Sequence, residues 1–192
     1  MSDKKYNLAV VIGRFQPMHV GHYELIKQAQ EIADDVLIII GSAFKARDIK
    51  NPFDVTERAQ MIHESFPTVK IDHTRDFLYD DSIWESEIQR IVGLHNTTGD
   101  SCVLVGHEKD NSSYYLKRFP QWDFHKVDVI RSMDATDLRE MLFTSPNDLP
   151  FAFNYLRDRC PKGTINFLEF FVKTKDYLNL VEEFKSIADY KQ

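Results

Sequence analysis

The sequence predicts an α/β fold built on a Rossmann-like, doubly wound parallel sheet, with a helical segment at its C-terminal end. Short apolar runs rich in Val and Ile alternate with longer amphipathic stretches, a pattern typical of strands separated by helices. Runs that are apolar throughout indicate strands buried on both faces. Because βαβ connections are right-handed, we expect a three-layer α/β/α sandwich with its ligand crevice at the carboxyl ends of the strands.

Five runs are interpreted as strands, and helical patterns lie between and after them. The predicted strands cover residues 8–12, 36–40, 69–71, 102–105 and, with a more polar pattern, 124–130. The predicted helices cover residues 20–33, 54–65, 81–95, 111–118 and 135–143. We expect residues 1–150 to form the sheet domain. We expect residues 151–192 to form a helical extension that either packs on this domain or connects to another one.

The composition excludes several classes of function. The chain has 24 Lys and Arg residues against 30 Asp and Glu, a net charge of −6, and 43% hydrophobic residues. The hydrophobic fraction predicts a folded core. The negative charge argues against nucleic-acid or membrane binding, since both require a contiguous basic face. Two cysteines are too few for a disulfide framework or a zinc site, and no signal peptide or membrane span is evident, so we expect a cytoplasmic protein.

The turn after the first predicted strand carries the sequence GRFQPMHVGH over residues 13–22. Free backbone N–H groups at a helix start favour anions, and His19 and His22 can donate hydrogen bonds to phosphate oxygens. Gly13 lets a ligand approach the backbone closely. In isolation the two histidines are ordinary surface or helix-cap residues, but their position after a strand predicts a phosphate-binding turn. A His pair without a carboxylate or cysteine ligand is incomplete for zinc.

This turn resembles the signature of the H-x-G-H nucleotidyltransferases. Its Gly-Arg-Phe-Gln-Pro form is similar to that of the archaeal-type nicotinamide mononucleotide (NMN) adenylyltransferases. The resemblance implies that His19 and His22 are catalytic, because in that family they contact the ATP phosphates and steady the charge that develops during transfer. It also assigns Gly13, Arg14 and Phe15 to the ATP site.

Two further groups of residues follow the second and third predicted strands. After the second strand comes the loop of residues 41–53, which by composition alone is a solvated basic loop. After the third strand, Trp84 starts a helix, where a Trp usually belongs to the core but can also stack on a pyridinium ring. The resemblance implies that the loop closes over the nucleotides, that Arg58 orders it, and that Trp84 packs against nicotinamide. The implied NMN contacts are Ser42, Lys50, Asn51, Asp81 and Trp84.

The stretch GHEKDNSSYYL over residues 106–116 follows the fourth predicted strand. It resembles the subset of these adenylyltransferases that are fused to a C-terminal Nudix hydrolase. Gly106 is expected to let the backbone approach adenine or ribose, while Lys109 is either an ATP phosphate contact or a solvated lysine. The Nudix box itself is absent from the sequence. The chain is therefore either one domain of a longer protein or a stand-alone form.

The last motif, RSMDATDLRE over residues 131–140, begins a helix. Asp134 or Thr136 is a good N-cap, and Arg139 lies one turn into the helix, where its guanidinium can bind phosphate with two hydrogen bonds. The motif resembles the family pattern I-S-x-T-x-x-R, which implies that Thr136 and the catalytic Arg139 hold the triphosphate. Asp134 stands where the family has Ser, and a carboxylate there repels phosphate unless Mg²⁺ or Arg131 intervenes.

The resemblance implies that ATP and NMN react to give NAD and pyrophosphate. Mg²⁺ would be bound mainly through the ATP phosphates, with no metal ligand from the protein. The expected partners are thus ATP, NMN and NAD, while homo-oligomerisation stays open. Two alternatives also remain. One is adenylyl transfer to nicotinic acid mononucleotide or phosphopantetheine, and the other is a non-catalytic, nucleotide-binding regulatory module.

Overall fold

The structure, a computed structural model, describes residues 4–96, 101–107, 118–128 and 134–189, without the side chains of residues 188 and 189. The strands are β1 (Tyr6–Gly13), β2 (Ala33–Ile40), β3 (Lys70–His73), β4 (Cys102–Gly106) and β5 (Asp123–Lys126). The helices are α1 (Val20–Ile32), α2 (Val55–Ser65), α3 (Asp81–His95), α4 (Ala135–Thr144), α5 (Leu149–Arg157), α6 (Lys162–Phe171) and α7 (Lys175–Asp189). Residues 111–117 of the predicted helix 111–118 lie outside the described residues.

The five strands form one sheet in the order β3-β2-β1-β4-β5, and every neighbouring pair is parallel. This confirms the predicted parallel α/β fold. The central strands are almost fully buried, with Val10, Leu37 and Leu104 each at most 1% exposed. Helix α3 adds Ile88 and Ile91 to the same core cluster. The sheet is therefore held mainly by the apolar side chains of β1, β2 and β4.

The chain divides into two compact units. The first comprises Met1–Arg14, Gly21–Phe44 and Thr68–Ser132, and it contains the sheet, α3 and nearly all of α1. The second comprises Phe15–Val20, Lys45–Pro67 and Met133–Gln192, and it contains α2 and α4 to α7. Within the second unit α2 packs against α6 at Gly163, whose position leaves no room for a side chain. The C-terminal residues form helices α5 to α7, which are joined by short turns, in agreement with the predicted helical segment.

Most strand boundaries agree with the prediction to within two residues, but the start of β2 and the end of β5 differ by more. Strand β2 begins at Ala33 rather than at residue 36, because Ala33 pairs with Tyr6 and Asp35 pairs with Leu8. Asp is depleted in strands, so local propensity misplaces this start. Strand β5 ends at Lys126 rather than at residue 130; residues 127 and 128 are not in the strand, and residues 129 and 130 lie outside the described part.

Candidate active site

The sheet order places a topological switch point between β1 and β4. The chain moves from β1 outward to β2 and β3, and then returns to the other side of β1 to form β4 and β5. In open α/β sheets, ligands bind at the carboxyl ends of the strands beside such a switch. The two strands end at Gly13 and Gly106. The structure therefore places both predicted ATP-site glycines at the ends of adjacent strands.

Helix α1 begins directly after the predicted phosphate-binding turn. His22 lies in its first turn and is half-buried, and this turn contains no acidic residue. The backbone N–H groups of a helix start carry partial positive charge. Arg14, in the segment before the helix, is exposed. The start of α1 is thus chemically suited to an anion.

His107 is a candidate that the sequence analysis missed. It follows β4 at the switch point, and its Nδ1 donates a hydrogen bond to the carbonyl oxygen of Val127 at 2.8 Å. Its Nε2 lies 3.4 Å from the carbonyl oxygen of Gly21, in the first turn of α1. The ring therefore lies between the end of β4 and the start of α1. An imidazole directly after a predicted strand was the available signal.

The segment before α1 is tightly fixed within the second unit. Phe15 is buried with a positive φ of 52°, a conformation that a bulky residue rarely adopts. The buried side chain of Gln16 donates to the carbonyl oxygen of Phe53 at 2.7 Å and accepts from the N–H of Phe53 at 3.0 Å. The peptide bond between Gln16 and Pro17 is cis. The side chain of Gln16 joins this segment to the loop before α2.

Backbone hydrogen bonds hold the segment on both sides of His19, which is 5% exposed. The hydroxyl of Thr164, in α6, donates to the carbonyl oxygen of Met18 at 3.0 Å. The N–H of Val20 donates to the carbonyl oxygen of Arg159 at 2.9 Å. Thr164 and Arg159, both in the C-terminal part of the chain, therefore fix the backbone around the predicted catalytic histidine, a role that the sequence did not reveal.

Arg139 and Thr136 lie together at the start of α4, as the motif predicted. The guanidinium Nη2 donates to the Thr136 hydroxyl at 3.1 Å, and Nη1 donates to the carbonyl oxygen of Gln16 at 2.7 Å. Asp134 is the N-cap, and its carboxylate accepts from the N–H of Thr136 at 2.8 Å. Arg139 thus connects α4 to the segment that carries His19.

Of the predicted NMN contacts that follow β2, Ser42 and Asn51 are buried and Lys50 is exposed. Ser42 is buried, has a positive φ of 53°, and donates to the Asp76 carboxylate at 2.8 Å. Lys50 is exposed, while Asn51 is 6% exposed and its side-chain nitrogen donates to Asp48 at 3.2 Å. The side-chain oxygen of Asn51 is buried and has no hydrogen-bond partner among the described residues.

Two arginines, Arg47 in this loop and Arg58 in α2, are held by protein groups. Arg47 makes two hydrogen bonds to Glu57, at 2.8 and 3.1 Å, and lies 3.3 Å from Asp176 in α7. Partial burial acts to lower the pKa of Arg47, but Glu57 and the other carboxylates raise it above its ordinary value. Arg58 is 1% exposed and its Nε donates to the carbonyl oxygen of Asp54. Arg47 is therefore placed to fix the loop against α2 and α7.

Trp84 and Asp81 both lie in the first turn of α3. The Trp84 ring packs against the core and is tilted against Phe119, with ring centroids 5.7 Å apart. Asp81 accepts a hydrogen bond from Arg118 at 2.8 Å. Trp84 is half-buried, so core packing leaves part of its side chain exposed. The remaining predicted contact, Lys109, lies outside the described residues.

The described residues contain no group of three His, Cys, Asp or Glu side chains placed to hold a metal ion. Nor, over the same part of the chain, is any helix long and apolar enough to cross a membrane. Burial raises the pKa of the Cys102 and Cys160 thiols to about 12. Both therefore stay protonated at neutral pH and are poor nucleophiles.

Comparisons with known proteins agree with this geometry. Residues 10–142 match the family model described as cytidylyltransferase-like. The chain is 33% identical over 187 residues to the nicotinamide/nicotinic acid mononucleotide adenylyltransferase of Acinetobacter baylyi, an alignment that covers 95% of each chain. It is 26% identical over 137 residues to the nicotinamide-nucleotide adenylyltransferase of Archaeoglobus fulgidus, covering 65% of this chain and 79% of that one.

A solved structure is also similar over nearly the whole chain. The bifunctional NMN adenylyltransferase/ADP ribose pyrophosphatase of Francisella tularensis, crystallised with AMP and a manganese ion, superposes with a TM-score of 0.81 at 32% identity. The match covers 97% of this chain and 55% of that chain, so this chain spans about half the length of the bifunctional protein. From these matches and from its sheet order, the chain belongs to the cytidylyltransferase-like family and, within it, to the NMN adenylyltransferases.

Proposed function

We propose that the chain transfers the adenylyl group of ATP to NMN and releases NAD and pyrophosphate, as a nicotinamide-nucleotide adenylyltransferase. The observation that carries this proposal is the turn bearing His19 and His22, which leads from a switch-point strand into the start of α1. The relatives named above support the reaction, because their names specify this adenylyl transfer.

In the proposed reaction, a phosphate oxygen of NMN attacks the α-phosphorus of ATP, and the bond to the bridging oxygen breaks as pyrophosphate leaves. The attacking phosphate is already anionic at neutral pH, so no general base is needed. The chain must therefore contribute positioning and charge stabilisation. We assign His19 and His22 to the phosphates around the reacting phosphorus.

We assign Thr136 and Arg139 to the departing β- and γ-phosphates, and Gly13, Arg14, Phe15, Gly106 and Lys109 to the remainder of ATP. Support comes from the Arg139 guanidinium, which two neutral oxygens orient at the start of α4. The Asp134 carboxylate accepts a hydrogen bond from the N–H of Thr136. This capping role explains why an acidic residue stands beside the proposed phosphate site.

We propose that NMN is held by Ser42, Lys50, Asn51, Asp81 and Trp84. The buried side-chain oxygen of Asn51 has no partner within the described segments, and an unsatisfied buried acceptor favours a ligand that carries an N–H group. The carboxamide of NMN carries one, whereas the carboxylate of nicotinic acid mononucleotide does not. Asn51 therefore supports a preference for the amide substrate.

We propose Mg²⁺ as the cation that accompanies ATP. The F. tularensis structure contains manganese, which supports use of a divalent ion in the family. Mg²⁺ commonly takes its ligands from substrate phosphates and water, so the proposal does not require a protein ligand. When bound, the cation would neutralise phosphate charge.

Three further expectations remain part of the proposal. Residues 1–150 act as the nucleotidyltransferase domain, and residues 151–192 form a helical extension. Thr164 and Arg159 of this extension hold the backbone around His19. The chain works in the cytoplasm, where ATP and NMN are available. A Nudix domain accompanies it if the full protein resembles the F. tularensis enzyme.

The test is pyrophosphate release from ATP and Mg²⁺ with NMN, nicotinic acid mononucleotide or phosphopantetheine as acceptor. We expect NMN-dependent release that His22→Ala abolishes. The matched control is His63→Ala, which removes an exposed histidine in the last turn of α2 and should leave the rate unchanged. No release with any acceptor, with ATP binding retained, would refute the enzyme proposal and favour the regulatory module.

A further inference from the structure

Helix α3 carries exposed apolar side chains on a face other than the one that it buries. Ile88, Ile91 and Val92 are buried in the sheet core. On another face lies a row of four residues, which we call the α3 stripe: Ile83, Glu87, Arg90 and Leu94. Ile83 is 49% exposed and Leu94 is 61% exposed. Glu87 and Arg90 pair between them, with a 2.8 Å hydrogen bond from Nε to the carboxylate.

The spacing of the α3 stripe is that of a helix–helix contact. Its steps of four, three and four residues match alternating d and a positions of a heptad repeat. When two such helices run antiparallel, an a position lies opposite a d position. Ile83 then faces Leu94 of the other helix, and Glu87 faces Arg90.

The stripe is complementary to itself. Both pairings are centred on the same point of the helix, midway between residues 88 and 89, so one two-fold axis satisfies both of them. An interface between identical chains that uses the same patch on each has this symmetry. Apolar side chains then meet at the two ends, and opposite charges meet in the middle. No charge in the stripe is left opposite a like charge.

We propose that a second copy of this chain packs antiparallel against the α3 stripe. The surroundings add contact surface, since a cavity of about 730 Å³ is lined by Ile83, Glu87 and Arg90 together with Phe44 and Phe77. Phe44 is 71% exposed, and Leu78, next to Phe77 in the chain, is 79% exposed. A standard interface buries about 800 Å² per partner, more than one short helix supplies, so this rim forms part of the contact.

Sedimentation velocity on the full chain and two charge reversals tests the proposal. The wild-type chain is expected to form a dimer. Arg90→Glu makes the middle of the stripe uniformly negative, and Glu87→Arg makes it uniformly positive. Each variant alone should dimerise at least roughly tenfold more weakly, because like charges face each other. An equimolar mixture of the two variants should dimerise again, because each then faces its opposite.

Both variants lose the pair within the helix, so recovery on mixing can come only from contacts between chains. The matched control is Gln89→Glu, an exposed substitution on a different face of α3, which should leave the dimer intact. If a single reversal does not fold, the double variant E87R/R90E keeps both pairings. It should form its own dimers but exchange no subunits with the wild type. A monomeric wild type, a dimer insensitive to Arg90→Glu, or a mixture that does not associate would each overturn the proposal.

Discussion

Two arginines in the second unit show how one residue type serves different purposes. Arg47, in the loop before α2, hydrogen-bonds to Glu57 and lies 3.3 Å from Asp176. Arg139, at the start of α4, donates hydrogen bonds to the neutral oxygens of Gln16 and Thr136. Glu57 and Asp176 pair with the charge of Arg47, whereas the hydrogen bonds of Arg139 to Gln16 and Thr136 orient its guanidinium at the start of α4. Arg47 is thereby engaged in holding its loop, and of these two arginines Arg139 is the one that we propose for the phosphate site.

The largest effect is expected from Arg139→Ala. The variant should lose about 10² to 10³-fold in kcat, because a charge-stabilising donor is removed from the transition state. Its free energy of unfolding should fall by only about 1–2 kcal/mol, because two partly exposed hydrogen bonds are lost. Pyrophosphate release and a melting curve measure both. Arg157→Ala, which removes an exposed arginine paired with Glu169, is the control and should leave kcat unchanged. A kcat within a few-fold of wild type would show that Arg139 is structural, like Arg47.

A smaller effect, on stability alone, is expected from Gly163→Ala. An added Cβ would lie 2.7 Å from the Cβ of Glu64 and 2.9 Å from the carbonyl oxygen of Met61, so α2 and α6 must separate. We expect a loss of roughly 1–3 kcal/mol in the free energy of unfolding, measured with urea. The control is Gly93→Ala in α3, where nothing lies within 4 Å of the new Cβ. That change should stabilise by up to about 1 kcal/mol, because alanine favours a helix more than glycine does. Equal losses in both variants would contradict the close approach.

Arg47→Met tests the other arginine of the comparison, the one that is paired with carboxylates. Glu57 and Asp176 lose their common cation, so we expect the free energy of unfolding to fall by about 1–2 kcal/mol. The KM for NMN should rise, since the same loop carries Lys50 and Asn51, while kcat should fall far less than in Arg139→Ala. Urea unfolding and steady-state kinetics separate these effects. Lys45→Met removes an exposed charge from the same loop and should cost less stability.

Tyr177→Phe is expected to have the smallest effect. The Tyr177 hydroxyl donates to the carbonyl oxygen of Leu142 at 2.9 Å and links α7 to α4. Its loss should cost roughly 1 kcal/mol at neutral pH. Burial raises the pKa of Tyr177 to about 12, while an unfolded tyrosine ionises near 10.

The sign of the pH dependence of Tyr177 follows from these two values. Below pH 10 both states keep the phenol proton, so its contribution is constant. Between about pH 10 and 12 the unfolded chain releases this proton first, and the free energy of unfolding falls as pH rises. The phenylalanine variant should lack this part of the decline, so the stability difference between the two proteins should shrink in alkaline urea titrations. A difference independent of pH would contradict the raised pKa.

Local sequence pattern was sufficient for most of the fold. The apolar runs located all five strands, and Asp54 and Asp134 cap the helices that the pattern predicted after them. Pattern failed where tertiary pairing overrides propensity. The start of β2 is the example. Asp34 and Asp35 are residues typical of loops, but they belong to the strand because this part of β2 pairs with β1.

The candidate site was predictable in part. The strand followed by a glycine and two histidines is a local signal, and it located the turn before α1. The contacts that shape this turn are not local: Thr164 reaches Met18 across 146 residues, and Arg139 reaches Gln16 across 123. No spacing rule joins such distant positions. For the same reason Arg47 was grouped with Lys50 in one basic loop, although its partner Asp176 lies in α7.

The hydrogen bond from Arg139 to residue 16 ends on a main-chain oxygen, whereas the bonds from residue 16 to Phe53 use its side chain. Every amino acid offers that main-chain oxygen. Evolution or an engineer can therefore vary the side chain at position 16, and with it the attachment of the second loop, while the acceptor for Arg139 is inherited unchanged. The two connections made at this one position are free to diverge at different rates.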